Sequence, residues 1–213
     1  MSSKVHNYES EAITVHYEPQ RCIHAEECIK RLSIVFDRKQ RLWIQVENAS
    51  ADAIAATVEQ CPSGALHYTR KDGGALEAKP ATNTIHLDPN GALYVRGDIH
   101  IGGETYYRVA LCRCGASQHK PFCDNSHKNI NFQTDGLISD GNRSITEIVG
   151  GALTITPETN GSYWVCGDFE ILDANGEVVY KGSEQWLCRC GASSNKPFCD
   201  STHKKIGFQA EGE

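Results

Sequence analysis

Nine of the ten cysteines in this 213-residue chain fall into three groups of three. The groups are Cys22, Cys28 and Cys61; Cys112, Cys114 and Cys123; and Cys188, Cys190 and Cys199. Thiols clustered in this way indicate metal or redox chemistry rather than scattered structural cysteines. Cys166 stands outside the groups, and we expect it to be a small buried thiol.

The second and third groups belong to an internal repeat. The sequence CRCGASQHKPFCDNSH ends at His127, and CRCGASSNKPFCDSTH ends at His203. Twelve of these sixteen positions are identical. The likeness extends upstream and downstream, so the repeated unit covers roughly 83–132 and 153–208. A repeat of this kind predicts two structurally related units.

Each copy has the spacing C-x-C-x₈-C-x₃-H, which supplies three cysteines and one histidine. Two cysteines at i and i+2 can hold one metal from an extended loop, and a cysteine and a histidine at i and i+4 lie on one side of a helical turn. Tetrahedral sulfur and nitrogen ligands bind zinc or iron–sulfur clusters. The spacing alone leaves both open, although the tight C-x-C hook is less typical of structural zinc.

The repeated segment resembles the CDGSH iron–sulfur family, whose pattern is C-x-C-x₂-(S/T)-x₃-P-x-C-D-G-(S/A/T)-H. The first copy matches at Cys112, Cys114, Ser117, Pro121, Cys123, Asp124, Ser126 and His127. The second copy matches at Cys188, Cys190, Ser193, Pro197, Cys199, Asp200, Thr202 and His203. The glycine of the pattern is replaced by Asn125 and by Ser201.

This resemblance implies a [2Fe–2S] cluster in each copy and an intramolecular pseudo-dimer. The irons of the first cluster would be held by Cys112 with Cys114 and by Cys123 with His127. The irons of the second would be held by Cys188 with Cys190 and by Cys199 with His203. A neutral imidazole in place of a thiolate makes reduction easier, and competition with protons makes ligation labile in mild acid.

The first cysteine group resembles a divergent, single-cluster ferredoxin. Cys22 and Cys28 are the outer cysteines of a C-x₂-C-x₂-C run with Ala25 in the middle, and Cys61 is followed by Pro62. Three cysteines make [3Fe–4S] the simplest cluster. A [4Fe–4S] cluster would need a fourth ligand, for which the candidates are His24, Glu26 and solvent. A degenerate domain with three buried thiols and no cluster is the alternative.

The elements that position these residues differ between the two parts of the chain. Near the N-terminus, alternation predicts strands over Ile13–Tyr17, Trp43–Val46 and Ala65–Thr69. Helices are predicted for Cys22–Leu32 and, with Ser50 as the N-cap, for Ala51–Gln60. Each repeat instead predicts strands, such as Tyr106–Leu111, that lead into a cysteine loop and a short helical turn.

These patterns predict an α+β protein with three domains. A ferredoxin-like α+β domain is expected over 1–78, followed by mostly-β CDGSH units over 79–135 and 136–213. The stretch 133–150 is rich in Gly, Asp, Asn and Ser, which is typical of a linker between copies. Asn175-Gly176 predicts a hairpin turn in the second copy.

Composition excludes several classes of protein. The net charge of −6, from 21 basic and 27 acidic residues, argues against nucleic-acid binding. No apolar stretch approaches the ~20 residues that span a bilayer, and the first residues lack the apolar core of a signal peptide. We therefore expect a cytoplasmic protein without membrane contact. No catalytic motif is present, so no catalytic residue is predicted.

The expected function is electron transfer with a redox partner protein, such as a reductase or an oxygenase, whose identity the sequence leaves open. Two alternatives follow from the same residues. Labile histidine ligation is consistent with a cluster carrier or a redox or pH stress sensor. An open iron corner at the three-cysteine site is consistent with an oxidoreductase that acts on a small substrate.

Overall fold

The computed structural model describes residues 4–213. The chain divides into two compact units, one ending at Ala78 and the other spanning Lys79–Glu213. Both contain strands and a few short helices, so the protein is of the mixed α+β type. No helix in the described part of the chain has the length and apolar composition needed to cross a membrane.

The N-terminal unit is built on a three-stranded antiparallel sheet in the order β1-β2-β3, counted over the described residues. Its strands are β1 (His6–Glu9), β2 (Ile13–Tyr17) and β3 (Leu66–Arg70), and its helices are α1 (Glu27–Arg31) and α2 (Ala51–Val58). The Ser50 hydroxyl accepts from the Ala53 amide at 3.3 Å, which caps α2 as the sequence predicts. The α2 residue Ile54 is fully buried in the core of this unit.

The predicted strand at Trp43–Val46 is wrong. This segment makes one isolated bridge, between Phe36 and Ile44, and a 3₁₀ turn follows at Val46–Asn48. The Trp43 ring packs edge-on against Tyr17 at 4.8 Å, so its burial reflects core packing rather than strand pairing. The helix predicted over Cys22–Leu32 begins only at Glu27, because His24 and Glu26 have left-handed backbones at φ 54° and 63°.

The second unit is a seven-stranded sheet with short helices after each cysteine loop in residues 79–213. The strands are β4 (Thr84–Leu87), β5 (Leu93–Ile101), β6 (Glu104–Leu111), β7 (Ser144–Ile145), β8 (Leu153–Pro157), β9 (Tyr163–Leu172) and β10 (Val178–Leu187). The helices are α3 (Ser126–Asn129) and α4 (Thr202–Lys205). Buried and partly buried residues alternate along β5, so one face of the strand packs on the core.

The two repeats pair their strands in the same pattern. In the first copy, β5 pairs antiparallel with β4 on one side and β6 on the other. In the second copy, β9 pairs antiparallel with β8 and β10 in the same way. Between the copies, β4 lies parallel to β9 and β5 lies parallel to β8. Each copy therefore adds its first strand to the sheet of the other. The intramolecular pseudo-dimer and a domain boundary near residue 135 stay predictions.

The segment predicted to be a linker contributes to the sheet and to the core. It contains β7, which pairs in parallel with β10, and it buries Ile138. The predicted hairpin turn is confirmed: β9 ends at Leu172, β10 begins at Val178, and Gly176 has φ +81°.

Candidate metal centres

The two cysteine loops of the repeats are closed by the same backbone hydrogen bonds. In the first, the Cys112 amide donates to the Pro121 carbonyl at 2.9 Å and the Cys123 amide donates to Ala110 at 2.8 Å. In the second, Cys188 donates to Pro197 at 2.7 Å and Cys199 donates to Trp186 at 2.9 Å. The end of each preceding strand is thereby fixed beside the third cysteine of its loop.

Side chains from the motif complete each loop. Ser117 donates to the Phe122 carbonyl at 2.7 Å, and Ser193 does the same to Phe198 at 2.7 Å. Asp124 accepts from the amides of Gln118 and Ser126 at 2.8 and 3.0 Å. Asp200 accepts from the amides of Ser194 and Thr202 at 2.9 and 3.0 Å. A hydrogen bond from the Thr202 side chain, and then those from Ser194, lower the pKa of the Asp200 carboxyl.

The residue that replaces the motif glycine turns the chain back toward the third cysteine. Asn125 and Ser201 both have left-handed backbones, at φ 71° and 65°, which explains why glycine suits this position. Their amides point at sulfur, with Asn125 N to Cys123 Sγ and Ser201 N to Cys199 Sγ both at 3.4 Å. Amide donors of this kind stabilise a thiolate.

The predicted ligands of each repeat lie in contacting pairs. The Sγ atoms of Cys112 and Cys114 are 3.7 Å apart, and Cys123 Sγ is 3.5 Å from His127 Nδ1. In the second copy, the Sγ atoms of Cys188 and Cys190 are 3.8 Å apart, and Cys199 Sγ is 3.4 Å from His203 Nδ1. The structure thus brings together the pairs that the family resemblance implies.

These separations have the length of a tetrahedral edge around a metal. A metal with bonds of about 2.3 Å to sulfur and about 2.0 Å to nitrogen holds two sulfurs about 3.8 Å apart and a sulfur and a nitrogen about 3.5 Å apart. Each pair can therefore share one metal, and two pairs per copy suit a group with two irons. Over residues 4–213, no set of three or more His, Cys, Asp and Glu side chains surrounds a single-ion position.

Burial and contact between the thiols set their protonation. The hydrogen bond from Cys114 lowers the pKa of Cys112, and the same contact raises the pKa of Cys114. Burial raises the pKa of Cys123 to about 11 and also raises that of Cys188. Burial lowers the pKa of His127, so its neutral form, which can bind a metal, is favoured.

Two arginines inside the motif are buried, a feature that the sequence analysis did not predict. Arg113 and Arg189 are only 3% and 1% exposed. Arg113 donates from Nε to the Gly91 carbonyl at 2.9 Å, and Arg189 donates from Nη1 to Glu158 O at 3.0 Å. Their identical place between two cysteines in both copies was the available signal.

Buried arginines next to thiols favour an anionic group at these sites. The acceptors that Arg113 and Arg189 reach are backbone carbonyls, and the buried Nε of Arg189 has no partner within residues 4–213. The Asp88 and Asp135 carboxylates also act on Arg113, and a buried cation is stabilised further by any other anion that lies nearby. Three thiolates around a cluster supply that negative charge, so the residues present fit a [2Fe–2S] group.

The two cysteine loops touch each other at their glycines. A Cβ on Gly115 would lie 2.7 Å from the Cys190 carbonyl oxygen, and one on Gly191 would lie 2.6 Å from the Cys114 carbonyl oxygen. Both glycines also have φ +82°. Only glycine permits this approach, and the approach places the C-x-C segments of the two copies side by side.

The three cysteines of the N-terminal unit converge on one place from separate elements. Cys22 follows the 3₁₀ turn Pro19–Arg21, Cys28 lies in α1, and Cys61 comes three residues after the end of α2. All three line a small cavity of about 30 Å³ together with His24. Burial raises the pKa of Cys28 to about 11. This set of soft ligands fits an iron–sulfur cluster, whose positive iron ions would balance the negative charge of the buried thiolates.

A wider cleft of about 320 Å³ opens beside two of these cysteines. Its lining combines Cys22 and Cys28 with His24, Arg38 and Trp43, among others. His24 Nδ1 lies 3.6 Å from Cys22 Sγ and also contacts the Arg38 guanidinium. Arg38 pairs in addition with Glu26 at 3.4 Å. The predicted fourth-ligand candidates therefore lie at the mouth of the three-cysteine site.

Comparisons with known proteins match both parts of the chain. The model of a family described as a divergent 4Fe-4S mono-cluster matches residues 8–71. The model of a family described as an iron-binding zinc finger of CDGSH type matches twice, at residues 90–128 and 160–204.

The N-terminal unit is also similar to curated protein sequences. It is 30% identical over 64 residues to an uncharacterized protein, YjdI, of Escherichia coli K12, and equally to YjdI of Escherichia coli O157:H7. The match covers 30% of this chain and 84% of YjdI. No solved structure matches the chain significantly.

These matches fall on the residues whose geometry is described above. Both CDGSH matches contain a complete set of three cysteines and one histidine, and the mono-cluster match contains Cys22, Cys28 and Cys61. The chain is an iron–sulfur protein that combines two CDGSH-type iron-binding domains in tandem with a divergent 4Fe-4S mono-cluster domain at its N-terminal end.

Proposed function

We propose that this protein transfers electrons through two [2Fe–2S] clusters and one ferredoxin-type cluster. In the first repeat, Cys112 and Cys114 would bind one iron, and Cys123 and His127 the other. In the second repeat, the ligands would be Cys188 with Cys190, and Cys199 with His203. The observation that carries the proposal is the pairing of these ligands at 3.4–3.8 Å, one tetrahedral edge for each metal.

The surrounding residues favour reversible one-electron chemistry. A bound [2Fe–2S] group takes up one electron and gives it back. His127 and His203 replace anionic thiolates by neutral ligands, and Arg113 and Arg189 place buried positive charge beside the cysteines. Both features stabilise the extra negative charge of the reduced state. The amides of Asn125 and Ser201, which point at the Sγ atoms of Cys123 and Cys199, also stabilise this negative charge.

For the N-terminal unit, we propose a cluster bound by Cys22, Cys28 and Cys61. Three cysteines make [3Fe–4S] the simplest type. The matching family is named for a 4Fe-4S cluster, and a [4Fe–4S] cluster would draw its fourth ligand from His24, Glu26 or solvent. The wide cleft beside Cys22 and Cys28 leaves room for either.

The symmetric strand pairing supports the pseudo-dimer as the framework of the two CDGSH sites. We propose that a redox partner protein, a reductase or an oxygenase, exchanges electrons with this framework. We propose a cytoplasmic setting, because cysteines that bind clusters rather than form disulfides suit a reducing compartment.

The deciding experiment is metal and sulfide analysis of anaerobically purified protein, with ultraviolet–visible and EPR spectra. We expect about seven irons per chain from two [2Fe–2S] clusters and one [3Fe–4S] cluster, or about eight with a [4Fe–4S] cluster. Stoichiometric reduction and reoxidation by a reductase should follow. A colourless protein that contains zinc and no sulfide would contradict the proposal.

A second candidate is an oxidoreductase that binds a small anionic substrate at the N-terminal site. The cleft favours it, since Arg38 and Arg41 line the cavity next to Cys22 and Cys28. Titration with small carboxylates would then change the EPR spectrum of that cluster alone. A spectrum that stays constant at saturating concentrations would leave electron transfer as the function.

A further inference from the structure

The two CDGSH sites have the same ligands but differ in their exposure. In the first site all four ligand side chains are buried: Cys112 at 1%, Cys114 at 8%, Cys123 at 3% and His127 at 8% exposure. In the second site Cys188 is buried at 3%, whereas Cys190, Cys199 and His203 are all partly exposed. The difference therefore involves most of the ligand set and not a single side chain.

A cleft of about 480 Å³ leads to the second site. Cys199 and His203 line it, together with Ser201, Lys204 and the half-exposed ring of Trp186. The residue of the first copy that corresponds to Trp186 is Ala110, which is 2% exposed. A cleft of this size admits a small molecule, and it brings such a molecule to the cysteine–histidine pair of the second site.

The first site is held closed by a residue of the second repeat. Tyr163, fully buried on β9, donates to the carbonyls of Cys112 at 2.7 Å and Pro121 at 2.9 Å. The corresponding residue in the first repeat is Leu93, which has no hydroxyl to give the second loop the same support.

We infer that, of the two CDGSH sites, the second exchanges electrons with the surroundings of the protein through the cleft beside Trp186, and that the first is enclosed. This inference rests on the proposed electron-transfer function. A one-electron donor in the cleft would lose one electron, and the iron that Cys199 and His203 would hold would accept it. No bond is broken and no proton is needed.

Two double variants isolate the sites within the full chain. Cys112→Ser with Cys114→Ser leaves the second site, and Cys188→Ser with Cys190→Ser leaves the first. Each reduced protein is mixed in a stopped-flow instrument with ferricyanide and, separately, with hexaamminecobalt(III). These one-electron oxidants have opposite charges. Attraction to Lys204 can accelerate only the anionic oxidant, so a faster reaction with both oxidants indicates easier access to the site.

With both oxidants, we expect the second site to react about tenfold faster or more, which is about 1.4 kcal/mol in activation free energy. Equal rates, or a faster first site, would overturn the inference and leave the proposed function standing. Absence of iron and sulfide from the unmodified protein would instead remove the proposed function itself.

Single substitutions in the otherwise intact protein test the inference without removing a ligand. Trp186→Ala widens the cleft, whereas Trp164→Ala alters its cross-strand neighbour, which does not line the cleft. With an iron chelator as the probe, only Trp186→Ala should accelerate the faster phase of iron release. Tyr163→Phe should accelerate the slower phase only. Identical effects of both tryptophan variants, or an unchanged slow phase in Tyr163→Phe, would contradict the inference.

Discussion

The CDGSH sites and the N-terminal site gather their sulfur ligands in opposite ways. Each CDGSH set lies within sixteen residues and is closed mainly by hydrogen bonds inside its own loop, to which Tyr163 adds two from the other repeat at the first site. The N-terminal cysteines are spread from Cys22 to Cys61 and meet because α1 and α2 pack on a common core. The CDGSH sites should therefore keep their geometry when the hydrophobic core of their unit is weakened, whereas the N-terminal site should lose its geometry when the core of its unit is weakened.

The largest expected effect is a core substitution in the N-terminal unit. Ile54→Ala should lower the free energy of unfolding of that unit by about 2–5 kcal/mol, because a fully buried side chain is replaced by a cavity. We expect the EPR signal of the proposed N-terminal cluster to disappear at lower urea concentration, with the signals of the proposed CDGSH clusters unchanged.

The matched control for this prediction is Ile34→Ala. Ile34 lies in the same unit but is 58% exposed, so the same chemical change should have little effect. Parallel loss of all cluster signals in Ile54→Ala would show that the CDGSH loops depend on the N-terminal core after all.

Histidine-to-cysteine substitution should have the next largest effect. His127→Cys and His203→Cys each add a thiolate, so each should lower the potential of its own cluster by on the order of 100 mV. The fall should be larger for His127, which is 8% exposed, because charge is stabilised less well away from water. EPR-monitored redox titration of each variant measures this difference. Equal shifts would mean that burial of the ligand does not influence the potential.

The loop serines test whether the two CDGSH loops are equally self-contained. Ser117 and Ser193 are 1% and 2% exposed, and each donates to a phenylalanine carbonyl at 2.7 Å. Replacement by alanine removes a hydroxyl donor from a hydrogen bond that is partly buried in the first loop and buried in the second, at a cost of about 1–3 kcal/mol. We expect both variants to lose their own cluster earlier in urea, by similar amounts. Loss of the other loop's cluster would argue against local closure.

The local nature of the CDGSH sites also explains what the sequence could predict. The ligand pairs of the repeats follow from spacing within one loop, and the contacts of Cys112 with Cys114 and of Cys123 with His127 agree with it. The strand predicted at Trp43–Val46 was wrong, because apolar residues in short segments bury equally well without strand pairing.

Features that depend on distant parts of the chain could not be predicted. The burial of Arg113 depends on the carbonyls of Asp88 and Gly91 on the preceding turn. The enclosure of the first site depends on Tyr163, some fifty residues away in the other repeat. Neither partner is marked by a motif, and both come together only when the strands of the two copies pair.

The smallest expected effect concerns the residue that replaces the motif glycine. Ser201 at φ 65° and Asn125 at φ 71° both occupy the left-handed region, which costs serine more than asparagine. Ser201→Gly should therefore stabilise the second loop by about 0.5 kcal/mol, since relief of strain exceeds the entropy that glycine adds to the unfolded chain. Asn125→Gly is the matched change in the first loop, and it should stabilise that loop less or not at all. Urea titrations of cluster absorbance for both variants measure the two effects, and a greater gain at Asn125 would show that the Ser201 backbone is not the more strained.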